Sequence, residues 1–288
     1  MVAAPPRQLR RRNALQLLAA SPLAALAALS ACRRDGSDAG ITLRIFAASS
    51  LRELFTSLAH DFEAQSPAGA PPRRVELQFA GSQVLRLQLE QGARADLFAS
   101  ADLGHAEALA RAGLLEAPEV FATGELVAVV RSAARDPGYS AGLGPPGVIR
   151  RFEDLPRAER VVLAAASVPA GAYARRALAA MGPEFSAAVL ARVASEEHNV
   201  RLVRAKVELG EADVGLVYRT DAVGHPGLRI LPLPAALAAD PALRVRYAIG
   251  RLRQAPAPAL ATTFLAGLQT PAARDALQRL GFGLPIRP

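Results

Sequence analysis

The residues best suited to chemistry in this sequence are small and hydroxyl-bearing residues at the starts of four predicted helices. They lie at Ser49-Ser50, Gly81-Ser82, Pro169-Ala170-Gly171 and Asn199-Val200. The first backbone N–H groups of a helix have no partner inside the helix, and the helix dipole adds positive charge there. Helix starts therefore bind anions without a formal cation. A single Ser at such a place predicts only a helix cap, whereas several that face one cleft predict an anion clamp.

Patterns for metal binding or nucleophilic catalysis are absent from the sequence. The histidines share no metal-ligand spacing; they are His60, His105, His198 and His225. His198 lies near a predicted helix start, where we expect a solvated or capping side chain. The single Cys excludes an internal disulfide and a cysteine metal cluster. No nucleophile elbow, Walker loop or dinucleotide-binding glycine motif occurs.

Two aspartates, Asp96 and Asp102, flank a predicted short strand in the stretch ADLFASAD. Paired carboxylates can act as general acid and base, but these two lie on either side of a strand end. We expect both to accept hydrogen bonds from backbone groups instead. Asp213, just before the predicted strand VGLVY, is expected to be a turn acid of the same kind. The sequence therefore predicts no catalytic residue.

The composition of the 288 residues is that of a folded protein that does not bind nucleic acid. Hydrophobic residues make up 51% and charged residues 21%, which excludes general disorder. Aromatic residues are only 5% and Trp is absent, so a base-stacking surface is excluded. The net charge is +8, but Arg7, Arg10, Arg11 and Arg12 account for half of it. The charge that remains beyond this segment is ordinary.

The N-terminal residues form a predicted targeting segment. A basic stretch at 7–12 precedes an apolar run at 14–31, which is too short and too interrupted by Pro22 for a membrane-spanning helix. The sequence Leu-Ser-Ala-Cys that ends at Cys32 resembles the bacterial lipobox. We therefore predict a lipoprotein signal peptide at 1–31, lipidation of Cys32 and a tether at 32–40. The protein would then be exported to the periplasm or cell envelope and anchored there.

The export route stays open between two pathways. Arg11-Arg12 before Asn13-Ala14-Leu15 resembles a twin-arginine signal, although Ala and Leu are only moderately apolar. The general secretory route fits the basic start and apolar run equally.

Strands and helices alternate through the rest of the chain, which predicts parallel sheets covered by helices. Predicted strands lie at Ile41–Ala47, Val75–Phe79, Asp96–Ala99, Leu126–Val130, Val161–Ala165, Val214–Tyr218, Arg229–Leu231 and 244–252. Predicted helices lie at about 51–65, 82–92, 103–112, 171–181, 199–210, 258–267 and 271–280. A Pro/Gly-rich loop occupies 136–147. The length suits an α/β protein of two lobes, each a mainly parallel sheet flanked by helices, with the ligand in the cleft between them.

The sequence resembles the molybdate-binding proteins of bacterial ABC transporters, which have the type II periplasmic binding protein fold. The matching stretches are Phe46–Leu51 (FAASSL), Phe79–Leu85 (FAGSQVL), 95–102 (ADLFASAD), Pro169–Tyr173 (PAGAY), Asn199–Arg201 (NVR), Gly215–Ala222 (GLVYRTDA) and 279–282 (RLGF). They occur in the family's order and span nearly all of the mature chain. The resemblance implies capture of molybdate or tungstate, as a dehydrated dianion, by neutral hydrogen-bond donors.

Site residues follow from the same resemblance. It implies that the anion contacts the hydroxyls and amides of Ser50 and Ser82, the amides of Ala170 and Val200, and the hydroxyl of Tyr218. We expect the Ser50 hydroxyl to cap its helix as well, and the Ser82 hydroxyl only to face the cleft.

The family also implies how the chain is divided and what it works with. Lobe I would comprise 41–125 and 246–288, and lobe II 126–245. The protein would be a monomeric receptor, not an enzyme, with no cofactor. It would deliver its oxyanion to an ABC permease and its ATPase in the inner membrane.

Three alternatives stay open at this point. A binder of sulfate, thiosulfate or phosphate would share the same architecture. A porphobilinogen deaminase-like enzyme would need a Cys in the mature domain, but the only Cys is Cys32. The effector module of a transcription regulator would need a helix-turn-helix before Ile41, which residues 1–40 do not supply.

Replacing Cys32 by Ser should release the protein from membranes without affecting its folding, because the residue lies outside the predicted domain. A single acyl chain binds membranes only marginally, whereas several chains on one Cys hold firmly. Membrane fractionation and mass spectrometry of the mature chain measure the outcome. A wild-type protein that fractionates as soluble with an unmodified thiol would contradict the lipidation.

Overall fold

The computed structural model describes residues 41–132 and 149–285. The predicted signal peptide, Cys32 and the tether lie outside the described residues, as do the loop at 136–147 and the last three residues. Within the described ranges, no helix has both the length and the apolar character needed to cross a bilayer. Two five-stranded sheets flanked by helices build this part of the chain.

The first sheet combines the N-terminal strands with one late strand. Its strands are β1 (Thr42–Ala48), β2 (Arg74–Ala80), β3 (Leu97–Ser100), β4 (Glu119–Gly124) and β10 (Val245–Arg251). The spatial order is β2-β1-β3-β10-β4. β1 is parallel to β2 and β3, whereas β10 is antiparallel to both of its neighbours. Four strands therefore point the same way and β10 opposes them.

The second sheet is built from the middle of the chain on the same plan. Its strands are β5 (Leu126–Arg131), β6 (Val161–Ala164), β7 (Val193–Glu197), β8 (Val214–Tyr218) and β9 (Leu228–Pro232). The order is β7-β6-β8-β5-β9, with β5 as the one antiparallel strand. We call the elements around the first sheet the first lobe, and those around the second sheet the second lobe.

The helices cover both faces of the sheets. They are α1 (Arg52–Ala64), α2 (Ser82–Glu90), α3 (Leu103–Arg111), α4 (Pro169–Ala180), α5 (Pro183–Leu190), α6 (Val200–Glu208), α7 (Arg219–Ala222), α8 (Ala235–Ala238), α9 (Pro258–Gly267) and α10 (Pro271–Arg279). Short 3₁₀ helices lie at Ser49–Leu51 and Phe152–Arg157. Because helices cover them on both sides, β3, β6 and β8 are buried along their whole length.

A glycine brings the start of α4 against the end of β6. A Cβ atom on Gly171 would lie 2.1 Å from the carbonyl oxygen of Ala165 and 2.3 Å from that of Ala164. No side chain fits in that space, so only Gly permits this approach. The contact places the first backbone N–H groups of α4 at the carboxyl end of β6.

The predicted α/β class and the two mainly parallel sheets are confirmed, and five numbered elements are additions to the prediction. The sequence does not predict the strands β4 and β7 or the helices α5, α7 and α8. β7 is an edge strand in which only Glu197 is buried, so it lacks the apolar pattern of a core strand. The chain crosses between the sheets at Glu125 and again between β9 and β10. The exact lobe limits of 41–125 with 246–288 and 126–245 remain predictions.

Candidate functional site

All five residues predicted to contact the ligand line one small cavity between the two lobes. The cavity encloses about 200 Å³, counting the open space at its mouth. Its lining residues are Ala48, Ser49, Ser50, Gly81, Ser82, Ala101, Val168, Pro169, Ala170, Asn199, Val200 and Tyr218. Each lies at or just beyond the carboxyl end of a strand that runs in the majority direction of its sheet. This edge is where ligands bind in open α/β sheets.

Ser50 lies in the 3₁₀ turn that joins β1 to α1. Its side chain is buried, and its Oγ makes no hydrogen bond of ordinary geometry, although the Tyr247 hydroxyl lies close by. The expectation that this hydroxyl also caps α1 is therefore wrong, because no side chain caps that helix. A buried hydroxyl without a partner costs stability unless something fills the adjacent space. Ser50 Oγ is thus free to bind a ligand in the cavity.

Ser82 is the first residue of α2, and its hydroxyl already has one role. Its Oγ accepts a hydrogen bond from the backbone N–H of Ala101 at 3.1 Å. The expectation that this hydroxyl serves only the cleft is therefore wrong. The accepted bond has a useful consequence, because an oxygen that accepts from the protein keeps its own proton for another partner. The Ser82 hydroxyl can therefore donate its proton to a ligand. The hydrogen bond from Ala101, at the end of β3, fixes the orientation of this side chain.

Ala170 offers a backbone N–H at the start of α4. Pro169 occupies the first helical position and has no N–H of its own. The first hydrogen bond of the helix runs from Ala172 N to Val168 O at 3.0 Å. Ala170 N–H therefore precedes the helical ladder and has no partner within it.

Val200 is presented by the cap of its own helix. The Asn199 side chain accepts hydrogen bonds from the N–H groups of Arg201 at 3.0 Å and Leu202 at 3.1 Å. This cap satisfies the second and third N–H groups of α6 and leaves the first, that of Val200, available. The sequence predicts a helix start here, but it does not predict that the cap leaves the Val200 N–H without a partner.

Tyr218 supplies a neutral hydroxyl from the end of β8. The side chain is buried, and its oxygen has no hydrogen-bond partner. Edge-to-face contacts hold the ring, with centroids 6.3 Å from Tyr173 and 5.7 Å from Tyr247. Burial raises the pKa of Tyr218 well above its ordinary value, so the hydroxyl keeps its proton at physiological pH. Tyr218 is therefore a fixed donor without charge.

The lining of the cavity contains no charged side chain. Its polar groups include backbone N–H groups at helix starts, and four lining residues carry hydroxyls: Ser49, Ser50, Ser82 and Tyr218. The one amide oxygen there, on Asn199, is already occupied by backbone donors. Such a set of donors suits a small anion that accepts hydrogen bonds on every side.

Among the hydrogen bonds that join the lobes around the cavity, three run from a side chain to a main-chain carbonyl. Arg201 Nε donates to Ser49 O at 2.6 Å, and Gln83 Nε2 to His198 O at 2.9 Å. His105 Nε2 lies 3.2 Å from Ser167 O. The lobes are thus joined on several sides of the cavity, which corresponds to a closed form.

The three aspartates that the sequence singled out have the expected structural roles. Asp96 accepts from the backbone N–H groups of Arg44 and Ala257. Asp102 caps α3, and Asp213 accepts two backbone N–H groups ahead of β6. In the described ranges no three His, Cys, Asp or Glu side chains are grouped as a metal site would require.

Asp221 is a buried acid near the site that the sequence did not reveal. It lies on α7, one turn after Tyr218, and neither carboxylate oxygen makes a hydrogen bond of ordinary geometry. Burial raises its pKa to about 7, and this outweighs the opposing charges of Arg201 and Arg204. Glu53 raises the pKa further, and the backbone of Tyr218 lowers it slightly. Asp221 is therefore protonated in part at neutral pH.

Two α/β lobes with a ligand-sized cavity at the carboxyl edges of both sheets define the type II periplasmic binding protein fold. The family model described as bacterial extracellular solute-binding protein matches residues 43–283. The chain belongs to this family.

The chain is also similar to individual members of this fold class. The molybdate-binding protein ModA of Mycobacterium tuberculosis is 37% identical over 277 residues, which cover 93% of this chain and 97% of ModA. The structure of the Azotobacter vinelandii periplasmic molybdate-binding protein matches with a TM-score of 0.69 at 20% identity, over 85% of this chain and all of that one. The sulfate-binding protein SubI of M. tuberculosis also matches with a TM-score of 0.69, at 16% identity, over 84% of this chain and 86% of SubI. The fold alone therefore does not discriminate between oxyanions.

Replacing Asp221 by Asn tests the buried acid. Between the ordinary pKa of 3.8 and the raised value of about 7, the folded protein keeps a proton that the unfolded chain has released. The free energy of unfolding of the wild type, relative to the variant, should therefore fall by up to about 1.4 kcal/mol per pH unit across this window and level off above it.

Chemical denaturation of both proteins across the window measures this difference. Asp275→Asn, at an exposed position on α10, controls for the loss of one carboxylate. A constant difference between wild type and Asp221→Asn at all pH values would contradict the assignment.

Proposed function

We propose that this protein captures molybdate or tungstate in the cavity between its lobes, as the receptor of an ABC importer. The observation that supports the ligand class is the convergence of unpartnered donors. Ser50 Oγ and the Tyr218 hydroxyl are buried without partners, and the available N–H groups of Ala170 and Val200 line the same cavity. Ser82 completes the set with a hydroxyl proton that its bond to Ala101 leaves available.

Neutral donors favour a fully ionised dianion over a protonated one. An oxyanion that carries a proton is best matched by a carboxylate that accepts this proton, and the lining contains no carboxylate. Phosphate is protonated at neutral pH, and its O–H would find only weaker acceptors in the cavity, at a cost in affinity. Molybdate, tungstate and sulfate carry no such proton. Discrimination against the smaller sulfate would come from cavity size and fixed donor positions.

The remaining features of the proposal follow from family membership and from the identity to ModA. The receptor would use no cofactor and perform no catalysis. It would act as a monomer, tethered to the cell envelope through Cys32, and would deliver its anion to a permease and an ATPase. A porphobilinogen deaminase-like activity is disfavoured, because the only Cys lies in the predicted lipobox.

A ligand panel tests the proposal on purified mature protein. Binding to the folded form at about 100 times Kd stabilises it by roughly 2.7 kcal/mol, which is a rise in Tm of about 5–10 °C for this size. We expect this rise with molybdate and tungstate, and little change with sulfate, thiosulfate or phosphate. Differential scanning fluorimetry followed by calorimetric titration measures it. Equal stabilisation by sulfate would refute the selectivity.

Variants of the lining residues should separate binding from folding. Tyr218→Phe and Ser50→Ala each remove one hydrogen bond to a charged ligand, worth roughly 1.5–3 kcal/mol, and should weaken molybdate binding about 10- to 100-fold. The Tyr218 hydroxyl has no partner in the protein, and Ser50 Oγ has only the nearby Tyr247 hydroxyl, so the stability of the ligand-free form should change little. Ser82→Ala should lower both affinity and stability, because it also leaves Ala101 N–H without its acceptor.

A substitution at Ala170 tests the backbone contact. Ala170→Pro removes the N–H and should abolish tight binding, whereas Ala170→Ser keeps it and should be tolerated. Calorimetric titration of each variant provides the affinities. If Tyr218→Phe and Ser50→Ala both retain wild-type affinity, the anion binds elsewhere and the five assigned residues must be withdrawn.

A further inference from the structure

Arg201 connects the two lobes at the point where two of the assigned contacts lie. It is the second residue of α6, directly after Val200, and its side chain is largely buried. Its Nε donates to the carbonyl oxygen of Ser49 at 2.6 Å, and its terminal nitrogen pairs with Glu53 on α1. The guanidinium does not line the cavity. Its positive charge therefore contacts groups of the first lobe and does not contact the cavity directly.

The accepting carbonyl belongs to the peptide group that joins Ser49 to Ser50. In a trans peptide the C=O and the N–H point in opposite directions, and the group is rigid. The carbonyl of Ser49 also accepts the backbone N–H of Arg52, and the cation held there further fixes the direction of the Ser50 N–H. It also polarises the peptide, which strengthens the N–H as a donor. Ser49 and Ser50 both line the cavity, whereas Arg201 does not.

The position of this arginine is otherwise unfavourable. A cation in the first turn of a helix opposes the helix dipole, at a cost of about 0.3–1 kcal/mol. Helix stability alone therefore does not account for Arg201 at this place. Its neighbour Glu53 offsets its charge. Burial raises the pKa of Glu53, but the hydrogen bond and charge of Arg201 outweigh this and hold it below its ordinary value, so the acid is ionised at neutral pH.

We propose that Arg201 is a positioning residue for the bound anion, acting through the Ser49–Ser50 peptide group. The guanidinium orients and polarises the Ser50 N–H without touching the anion. Because Arg201 follows Val200 in the chain, it also connects the lobe that carries the Val200 donor to the lobe that carries the Ser50 donor. This inference rests on the proposed function. It explains how a cavity without a cation in its lining can still present positive potential to a dianion.

Replacing Arg201 by Met removes the charge and the hydrogen bond while keeping the length of the side chain. We expect the Kd for molybdate to rise about 10- to 100-fold, mainly through faster dissociation, because the hydrogen bond to Ser49 O forms between closed lobes. Arg204→Met is the matched control. Arg204 lies one turn further along α6 and contacts Asp221 O and His225 within the second lobe, so its loss should change the Kd less than about threefold.

Two further variants distinguish the peptide route from a simple ion pair. Glu53→Gln keeps Arg201 and its bond to Ser49 O, so most of the affinity should survive. Arg201→Gln removes the charge but retains a hydrogen-bond donor, and we expect it to lose affinity for molybdate. It replaces Arg201→Met in the comparison if that variant does not fold. In the molybdate-bound protein, the amide resonance of Ser50 measured by nuclear magnetic resonance should shift in the Arg201 variants and not in Arg204→Met.

Each outcome has one meaning. A wild-type protein that binds no oxyanion contradicts the proposed function before any variant is measured. If the wild type binds but Arg201→Met, or Arg201→Gln in its place, retains affinity within about twofold of Arg204→Met, the positioning role is wrong. If Glu53→Gln loses as much affinity as the Arg201 variants, the residue acts as an ion pair between lobes and not through the peptide.

Discussion

Unpaired N–H groups at helix starts are the constraint on which the rest of this structure depends. Each such group must be protected from competing partners and still point into the cavity. The fold meets this requirement differently at each place. Pro169 starts α4 without an N–H of its own, and Asn199 caps the two groups behind Val200. The glycine at 171 lets the helix start approach the sheet edge. The positions of the donors in the cavity thus depend on residues whose own side chains are not among the five assigned contacts.

The absence of charge from the cavity lining has an energetic reason. A buried cation facing an empty cavity would be desolvated at considerable cost, and breaking its pairing would cost more. Arg201 avoids this because it pairs with Glu53 and donates to Ser49 O instead of facing the cavity. The cavity is instead faced by dipoles that the protein holds in place. The buried Asp221 is nearby, but its raised pKa limits how much negative charge it adds.

Much of the site could be predicted, because its residues lie in local patterns. A strand followed by a small or hydroxyl residue and then a helix marks the helix starts at Ser50, Ser82 and Ala170, and the family resemblance implies that these residues contact the anion. What escaped prediction depends on distant partners. The second role within the protein was expected for the Ser50 hydroxyl but belongs to the Ser82 hydroxyl. The backbone N–H of Ala101, nineteen positions away, donates to Ser82 Oγ. Arg201 acquires its role from residues roughly 150 positions away, and β7 was missed because an edge strand needs no apolar alternation.

The aromatic contacts around Tyr218 have a consequence for how this protein can be observed. The chain has no Trp and only four Tyr, of which Tyr173, Tyr218 and Tyr247 stand in successive edge contacts beside the cavity. Three of the four tyrosines therefore lie in one connected group at the junction of the lobes, and Tyr218 among them lines the cavity. Tyrosine emission can then follow events in the cavity without an added label.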